Sequence, residues 1–313
     1  MKDSTGVFPA KKIKKNKKIT KDSVYLFLIA VPFIVLMLVF NYFPVYGWIY
    51  SFFDYKPGIP LSMTPFAGLK YYIELFSSSG DVLNALANTL AMNFLGILAS
   101  PLPIVFAIMI NEVRSHRFKR FVQTFTTLPN FISWVLVYSI AFAMFSTEGM
   151  VNTLAGKLGF SAAFNPLGNE SVTWFFQTAL SIWKSLGWNT IIYLAAIAGI
   201  DPALYEATKV DGAGRLRTIW HITVPGVAPT YLVLLLLNVS NMLSSSFDQY
   251  FVFYNPMVAN KIEVLDYYIY RMGIIVNNYP LATAIGLFKT AVSVILLFTV
   301  NRISRSVRGE NLI

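Results

Sequence analysis

The sequence predicts an all-α polytopic membrane protein with six transmembrane helices. Apolar residues make up 56% of the chain and charged residues only 13%, whereas soluble globular domains contain about 25% charged residues. The mean hydropathy is correspondingly high, +0.58. The apolar residues are gathered in runs near or above the roughly 20 residues that a helix needs to cross about 30 Å of hydrocarbon. Short basic or turn-rich segments separate these runs, as in a bundle of spans.

The chain opens with a basic stretch and then a long apolar run. Residues 1–23 carry eight lysines and little that is apolar, which predicts a basic cytoplasmic tail. The run from residue 24 to about 49 is too long for the apolar part of a cleavable signal peptide, so we interpret it as the first span. Pro32 and Pro44 would kink it, which neighbouring helices in a bundle can accommodate.

The rest of a permease domain over residues 24–303 is predicted from five further apolar runs. Residues 50–81 between the first two are rich in turn formers and predict a loop with a short surface helix over 71–76. The second run contains Pro101 and Pro103, and Leu128-Pro129-Asn130 interrupts the third. The predicted spans are 83–110, 121–145, 173–200, 226–247 and 281–300.

The segments between the spans differ in character. Residues 111–120 form a short basic loop, and the amphipathic residues 151–158 predict an interfacial helix. After a turn at 253–256, residues 264–276 predict a helix that packs at the outer surface. A second cytoplasmic tail is expected over residues 304–313, where Arg305 and Arg308 stand.

The distribution of lysine and arginine fixes the expected orientation, because these residues are retained on the cytoplasmic side. With the N-terminus inside, eighteen of the 25 basic residues are cytoplasmic and five are outside. The other two, Lys184 and Lys289, fall within spans. Both termini are therefore expected in the cytoplasm of a multi-pass membrane protein. The net charge of +10 is explained by this pattern, and no nucleic-acid partner is expected.

Residues that carry chemistry are scarce. The chain has no cysteine and two histidines, His116 and His221, both in predicted cytoplasmic loops. It contains no Gly-x-x-x-x-Gly-Lys-Ser/Thr phosphate loop and no His-Glu-x-x-His or Gly-x-Ser-x-Gly motif. We therefore expect no catalytic residue, metal site or cofactor in this chain, and any energy source must be another subunit.

One polar stretch, residues 201–225, stands out in the cytoplasmic part. Asp201-Pro202 is a helix start, since Asp caps free backbone N–H groups and Pro suits the first helical position. A helix over 202–210 would stop at Asp211-Gly212, and a second short helix over 213–222 would end before Pro225. The apolar residues are too few for a core but enough for a docking ridge: Leu204, Val210, Leu216, Ile219 and Trp220.

The spacing in this stretch resembles the EAA signature of ABC-importer permeases. Glu206-Ala207-Thr208, then Gly212, then Ile222-Thr223-Val224-Pro225 are in register with it. Two positions depart from the usual pattern: Thr208, where a second Ala is typical, and Val224, where Leu is typical. Blocks such as Leu128 to Trp134, Glu263 to Asp266 and Ala284 to Lys289 further resemble the maltose-type, LplB-like group of carbohydrate permeases.

The resemblance implies the type I importer permease fold and a set of partners. These are a second permease of similar fold, two ATPase subunits that bind ATP and Mg²⁺, and an extracytoplasmic sugar-binding protein. The loop would be the coupling helix, which docks in a groove of the ATPase and moves the bundle in an alternating-access cycle. Its coupling residues would be Glu206, Ala207, Thr208, Asp211, Gly212, Ala213, Ile222 and Pro225.

Polar residues within the spans suggest a substrate path. A sugar needs hydrogen-bonding groups, which amides supply, although such residues also join helices. Asn238 and Asn241 are three apart and would share a helix face. An ammonium within hydrocarbon is costly, so each span lysine should meet an acid of a partner subunit, water or an anionic substrate, or extend to an interface. The candidate path residues are Asn93, Lys184, Asn238, Asn241 and Lys289.

Together these features predict a permease subunit of an ATP-driven importer for oligosaccharides or polysaccharide fragments. Two other functions remain open at this point. One is an ABC permease for another solute class, since the coupling loop is shared among them. The other is a secondary transporter that needs no ATPase.

Overall fold

A computed structural model describes residues 21–77, 80–159 and 164–308 of the chain. These divide into two compact units, with the boundary between Ile49 and Tyr50. In the first unit, helix α1 (Lys21–Met37) contains Pro32 and continues as a π turn over Leu38–Tyr42 and a 3₁₀ helix from Phe43 to Phe52. The predicted first span is thus one long apolar helical segment, whereas residues 1–20 of the predicted tail lie outside the described residues.

The second unit is built from α-helices joined by short turns. The longer helices coincide with the predicted spans or with parts of them, and several short helices lie between. The helices are α2 (Lys70–Ser77), α3 (Gly80–Ala99), α4 (Leu102–Glu112), α5 (His116–Thr127), α6 (Trp134–Phe145), α7 (Met150–Lys157), α8 (Thr173–Ala198), α9 (Pro202–Val210), α10 (Arg215–Thr218), α11 (Val224–Ser240), α12 (Phe247–Phe253), α13 (Ala259–Ile262), α14 (Leu265–Tyr270) and α15 (Tyr279–Arg308).

The membrane-spanning character predicted from the sequence is confirmed in its main lines. Within the described residues, five helical segments are long and apolar enough to cross a membrane. A sixth is obtained if α8 and α9, which meet at an angle of 69°, count as one broken span. The prolines explain the break between α3 and α4, since Pro101 and Pro103 remove backbone donors there. Helix α15 runs on to Arg308, so residues 304–308 are helical, and 309–313 lie outside the described residues.

The third predicted span differs most from the structure. Helix α5 already begins at His116, inside the predicted basic loop, because the Ser115 side chain accepts a hydrogen bond from the Phe118 N–H (3.4 Å) and caps it. A 3₁₀ turn over Leu128–Phe131 then separates α5 from α6. The span is therefore a basic amphipathic helix followed by an apolar one.

The helix predicted over residues 264–276 is present as α14 followed by a π turn over Arg271–Ile275, while its place at the outer surface stays a prediction. Its first turns are buried, since Val264, Leu265, Tyr267 and Tyr268 are at most 6% exposed. The sequence does not reveal this burial, because tyrosines suit both an interface and an interior. Helices α12, α13 and α14 thus fold back into the bundle and give it much of its core.

A polar network holds this folded-back segment against α3 and α8. The Asn88 amide donates to the carbonyls of Asn260 (2.9 Å) and Glu263 (3.0 Å) and accepts from the Trp174 indole N–H (3.1 Å). The Thr89 hydroxyl accepts from the Leu265 N–H at 2.8 Å. Each buried polar group here has a partner, as a low-dielectric interior requires. The network fixes the start of α14 and hence the position of Asp266.

The short helix predicted over 71–76 is α2, and it is only half at the surface. Tyr71 and Leu75 are buried in a cluster with residues of α15. The Asp54 carboxylate accepts from the Lys70 ammonium (2.8 Å) and the Tyr71 hydroxyl (2.6 Å), and these bonds hold its pKa below the ordinary value. The loop before α2 is thereby tied to the helix.

Candidate coupling hairpin and transport cavities

The first helix of the predicted coupling loop is confirmed from end to end. Helix α9 covers Pro202–Val210, and the Asp201 carboxylate accepts from the Ala203 N–H at 2.9 Å. Pro202 takes the first helical position, where its missing N–H costs nothing. The helix start therefore rests on the local signal that the sequence supplied.

The turn after α9 depends on one glycine. Gly212 has φ +66°, the left-handed conformation that favours glycine, and nothing lies within 4 Å of the place a Cβ would take. The Ala213 N–H donates to the Thr208 carbonyl at 2.9 Å, which closes the turn. The Thr208 hydroxyl donates to the Tyr205 carbonyl at 2.9 Å and meets the Thr218 hydroxyl at 3.5 Å. Thr208 thus joins the two arms of the hairpin.

The second arm was expected to end before Pro225, and it does not. Helix α10 continues through a π turn over Ile219–Thr223 into α11, so one helical segment runs from Arg215 to Ser240. Pro225 stands in the first turn of α11, directly after the π turn, where the wider spacing accommodates a residue without an N–H. The second arm of the coupling loop is therefore continuous with α11, and no break separates the two.

The hairpin is also braced at its base. The Tyr205 hydroxyl lies 3.1 Å from the Thr223 hydroxyl, and a Cβ on Gly226 would come within 2.5 Å of Ile200. Thr223 is buried, and Ile222 and Ala213 are half-buried. These contacts hold α9 against the start of α11, so that a displacement of the hairpin is passed to the helix.

The tip of the hairpin presents apolar side chains to the outside. Val210, Leu216 and Trp220 are 88%, 73% and 66% exposed, and Leu204 is 47% exposed. Ile219 is half-buried, so four of the five predicted ridge residues are uncovered. Glu206, Ala207 and Asp211 are exposed beside them, and the two carboxylates form no hydrogen bond within the described part of the chain. A contiguous exposed apolar ridge of this kind marks a protein interface.

Among the cavities of the described residues, two contain predicted path residues. A cavity of about 150 Å³ between α3, α4, α8 and α11 is lined by Asn189 and Asn238. A larger one of about 670 Å³ between α11, α14 and α15 is lined by Asn241 and Lys289. The two asparagines do not share a cavity, because α11 ends at Ser240 and Asn241 follows the helix.

Lys289 meets an acid of its own chain. Its ammonium forms an ion pair with the Asp266 carboxylate, whose second oxygen accepts from the Ser245 N–H at 2.8 Å. Asn93 also contacts Ser245, since its amide nitrogen lies 3.4 Å from the Ser245 hydroxyl oxygen. None of the interpretations given for the lysine anticipated this pair, because Asp266 was placed outside the bundle. The larger cavity thus contains both charges, together with Ser240, Ser244, Thr290 and Ser293.

Lys184 lies elsewhere and forms no ion pair with any carboxylate of the described residues. Its ammonium donates to the carbonyl oxygens of Pro129 (3.2 Å) and Asn130 (2.8 Å) and lies 5.5 Å from the centre of the Trp134 ring. These carbonyls belong to the 3₁₀ turn between α5 and α6, where helical partners are missing. Lys184 therefore caps a break in a helix, and neither cavity reaches it.

Within the described residues, no group of three or more His, Asp or Glu side chains could hold a metal ion. Comparison with known proteins then decides the family. Residues 93–309 match the family described as the binding-protein-dependent transport system inner membrane component. The chain belongs to this family. It is a transport permease and not an enzyme.

Relatives and solved structures agree with this membership. The chain is 38% identical to the polygalacturonan/rhamnogalacturonan transport system permease protein YteP of Bacillus subtilis, over 96% of this chain and 95% of the relative. It is 37% identical to protein LplB of the same organism, over 93% and 92%. A chain of a bacterial ABC transporter involved in the import of the acidic polysaccharide alginate matches with TM-score 0.82 and 34% identity, covering 92% of this chain and 97% of that one.

A further match is to that transporter in complex with its alginate pentasaccharide-bound periplasmic protein, with TM-score 0.82 and 33% identity. The fold expected from the EAA signature is thus confirmed: an all-α ABC importer permease.

Proposed function

We propose that this chain forms half of the translocation path of a sugar importer. The conformational change driven by ATP hydrolysis would reach it through the hairpin of α9 and α10. The proposal includes a second permease, two ATPase subunits and an extracytoplasmic saccharide-binding protein. It places both termini and the hairpin in the cytoplasm, in agreement with the distribution of basic residues. The observation that carries it is the rigid hairpin with an uncovered apolar tip.

The physical basis for coupling is the continuity of the second arm with α11. A load applied at Val210 or Leu216 is passed through α10 and the π turn into α11, which lines both cavities. The bond between the Tyr205 and Thr223 hydroxyls keeps α9 in step with this movement. The carboxylates of Glu206 and Asp211, which accept no hydrogen bond from the described residues, are available to the ATPase surface.

The proposed cargo is a fragment of an acidic polysaccharide. A cavity of about 670 Å³ lies within the range of about 300 to 1,000 Å³ typical of small-molecule sites. Its amide, hydroxyl and charged groups suit a polyol that carries carboxylates. Among the similar proteins, one is a polygalacturonan/rhamnogalacturonan permease and another belongs to a transporter of the acidic polysaccharide alginate, while a relative at 27% identity is an arabinooligosaccharide permease.

The coupling assignment is tested by replacing the turn glycine. Proline cannot adopt φ +66°, so Gly212→Pro should distort the hairpin and reduce import at least tenfold while the assembled complex still hydrolyses ATP. Gly214 has φ −69°, close to the angle that proline prefers, so Gly214→Pro is the matched control. Uptake and ATPase activity are measured on the whole transporter in proteoliposomes.

The outcomes separate the candidate functions. If Gly212→Pro loses import but retains ATP hydrolysis, and Gly214→Pro retains both, the result supports the hairpin as the coupling element. Normal coupled import in both variants would refute it. Import by a preparation of this chain without any ATPase subunit would instead show a secondary transporter.

A further inference from the structure

Helix α5 has an uncovered phenylalanine face with exposed arginines along one edge of it. Phe118, Phe121 and Phe125 lie on one side of the helix and are each slightly more than half exposed. The rings of Phe121 and Phe125 pack together with centres 4.3 Å apart. Arg117 is one turn before Phe121, at the edge of the phenylalanine face, Arg120 lies further round the helix on the same flank, and both are exposed. The helix is thus a basic amphipathic element, the kind that lies in a membrane interface.

The positive charge of this region exceeds the one acid beside it, Glu112. Arg114, Arg117, Lys119 and Arg120 fall within seven residues, and no Asp or Glu occurs between Val113 and Ser146. Within the described part of the chain, none of the four takes part in an ion pair. An anionic surface would supply the missing counter-charge.

The helix cannot roll to bury its phenylalanines. At Gly187, α8 approaches the backbone of α5 so closely that a Cβ would overlap the carbonyl of Thr126. Just beyond, Lys184 holds the Pro129 and Asn130 carbonyls. Both contacts lie at the C-terminal end of α5 and fix its orientation against α8.

We propose that α5 is a binding surface for the headgroups of anionic phospholipids. Phe118, Phe121 and Phe125 insert among the acyl chains, while Arg117 and Arg120 hold phosphate and glycerol groups. At a bilayer boundary the phenylalanines reach the acyl chains while the arginines at the edge of the same face reach the headgroups, so one surface satisfies both kinds of side chain. The apolar helix α6 follows after the 3₁₀ turn, so α5 leads into a membrane-spanning segment. The surface is distinct from the coupling hairpin and from both cavities.

The chain has no cysteine, so a single introduced cysteine can report the surroundings of α5. Phe121→Cys is labelled with a fluorophore, with the unmodified chain as labelling background. The whole transporter, its partner subunits freed of reactive cysteine, is placed in nanodiscs. Every disc contains phosphatidylcholine and phosphatidylglycerol in the same proportion. In one set of discs the phosphatidylcholine carries a nitroxide quencher, and in the other set the phosphatidylglycerol carries it. Quenching then measures which headgroup class surrounds the label.

Quenching by the phosphatidylglycerol probe should exceed that by the phosphatidylcholine probe several-fold. Arg117→Gln with Arg120→Gln should lower this preference by up to about fivefold for each charge, and the double lysine variant at the same positions should keep it. Lys56→Gln with Lys157→Gln, two exposed lysines outside α5, is the control and should change nothing.

Three results would overturn the proposal. Equal quenching by both lipids would show apolar contact without headgroup recognition. Absence of quenching by either would show that protein covers the phenylalanines. An unchanged preference in the double glutamine variant would place the anionic lipid elsewhere.

Discussion

Each of the two lysines within the predicted spans has its own electrostatic partner. Lys184 is neutralised by backbone carbonyls at a helix break, and Lys289 by the carboxylate of Asp266. The side chains of Lys289 and Asp266 are 17% and 20% exposed and face the larger cavity. Lys184 is thus a structural group, while the ion pair stands where a charged cargo could exchange with one of its members.

The ion pair predicts a non-additive pair of substitutions. Lys289→Met leaves the Asp266 carboxylate unpaired in the bundle, and loss of one partner of a buried pair costs about 3 kcal/mol or more. The single variant should therefore unfold at a lower temperature. The double variant, Asp266→Asn with Lys289→Met, leaves no lone charge and should recover most of that loss. Thermal unfolding of the purified complex gives the unfolding temperatures of the single and the double variant. Lys184→Met is the comparison, because Lys184 bonds backbone carbonyls instead of a carboxylate.

The same variants test the cargo. If Lys289 binds a uronate carboxylate, the double variant should be stable and yet import acidic oligosaccharides less well than neutral ones of equal length. Equal import of both by Lys289→Met and by the double variant would end the assignment of Lys289 to cargo selection. Additive losses of stability in the double variant would contradict the ion pair itself.

Among the elements, local signals fixed both ends of α9 but not the end of the second arm. Asp201-Pro202 began α9 as predicted, because the cap and the proline act within one turn. Pro225 was expected to end the second arm, yet α10 passes through a π turn into α11. Tertiary contacts, such as Gly226 against Ile200, decide that outcome, and no local pattern encodes them.

The crossing of α5 and α8 gives the prediction at this scale. A methyl group on Gly187 would overlap the backbone of Thr126, and overpacking of this kind typically costs about 1 to 3 kcal/mol. Gly187→Ala should therefore lower the unfolding temperature. Gly156 in α7 has nothing within 4 Å of its Cβ position, so Gly156→Ala should be neutral or stabilising by up to about 1 kcal/mol. Equal unfolding temperatures for the two variants would argue against a tight crossing.

At the scale of the whole molecule, the apolar runs predicted most spans, and the EAA spacing predicted the family. The interior position of α12 to α14 could not be read from the same pattern, since buried tyrosines and asparagines are satisfied by distant partners. Asn88, for example, bonds residues more than 170 positions away. Asp266 was missed for that reason, although an unmatched lysine at 289 called for an acid somewhere in the bundle.

The orientation of the whole chain is a prediction that one experiment decides. The excess of basic residues on one side should retain that side in the cytoplasm, with Lys209 of α9 inside and Lys56 of the loop before α2 outside. Both lysines are exposed, and the chain has no other cysteine to confuse labelling. Lys56→Cys should react with a membrane-impermeant maleimide on intact spheroplasts, and Lys209→Cys only after the membrane is permeabilised. The reverse pattern would put the hairpin outside, where no ATPase could reach Val210 or Trp220, and would remove the coupling role.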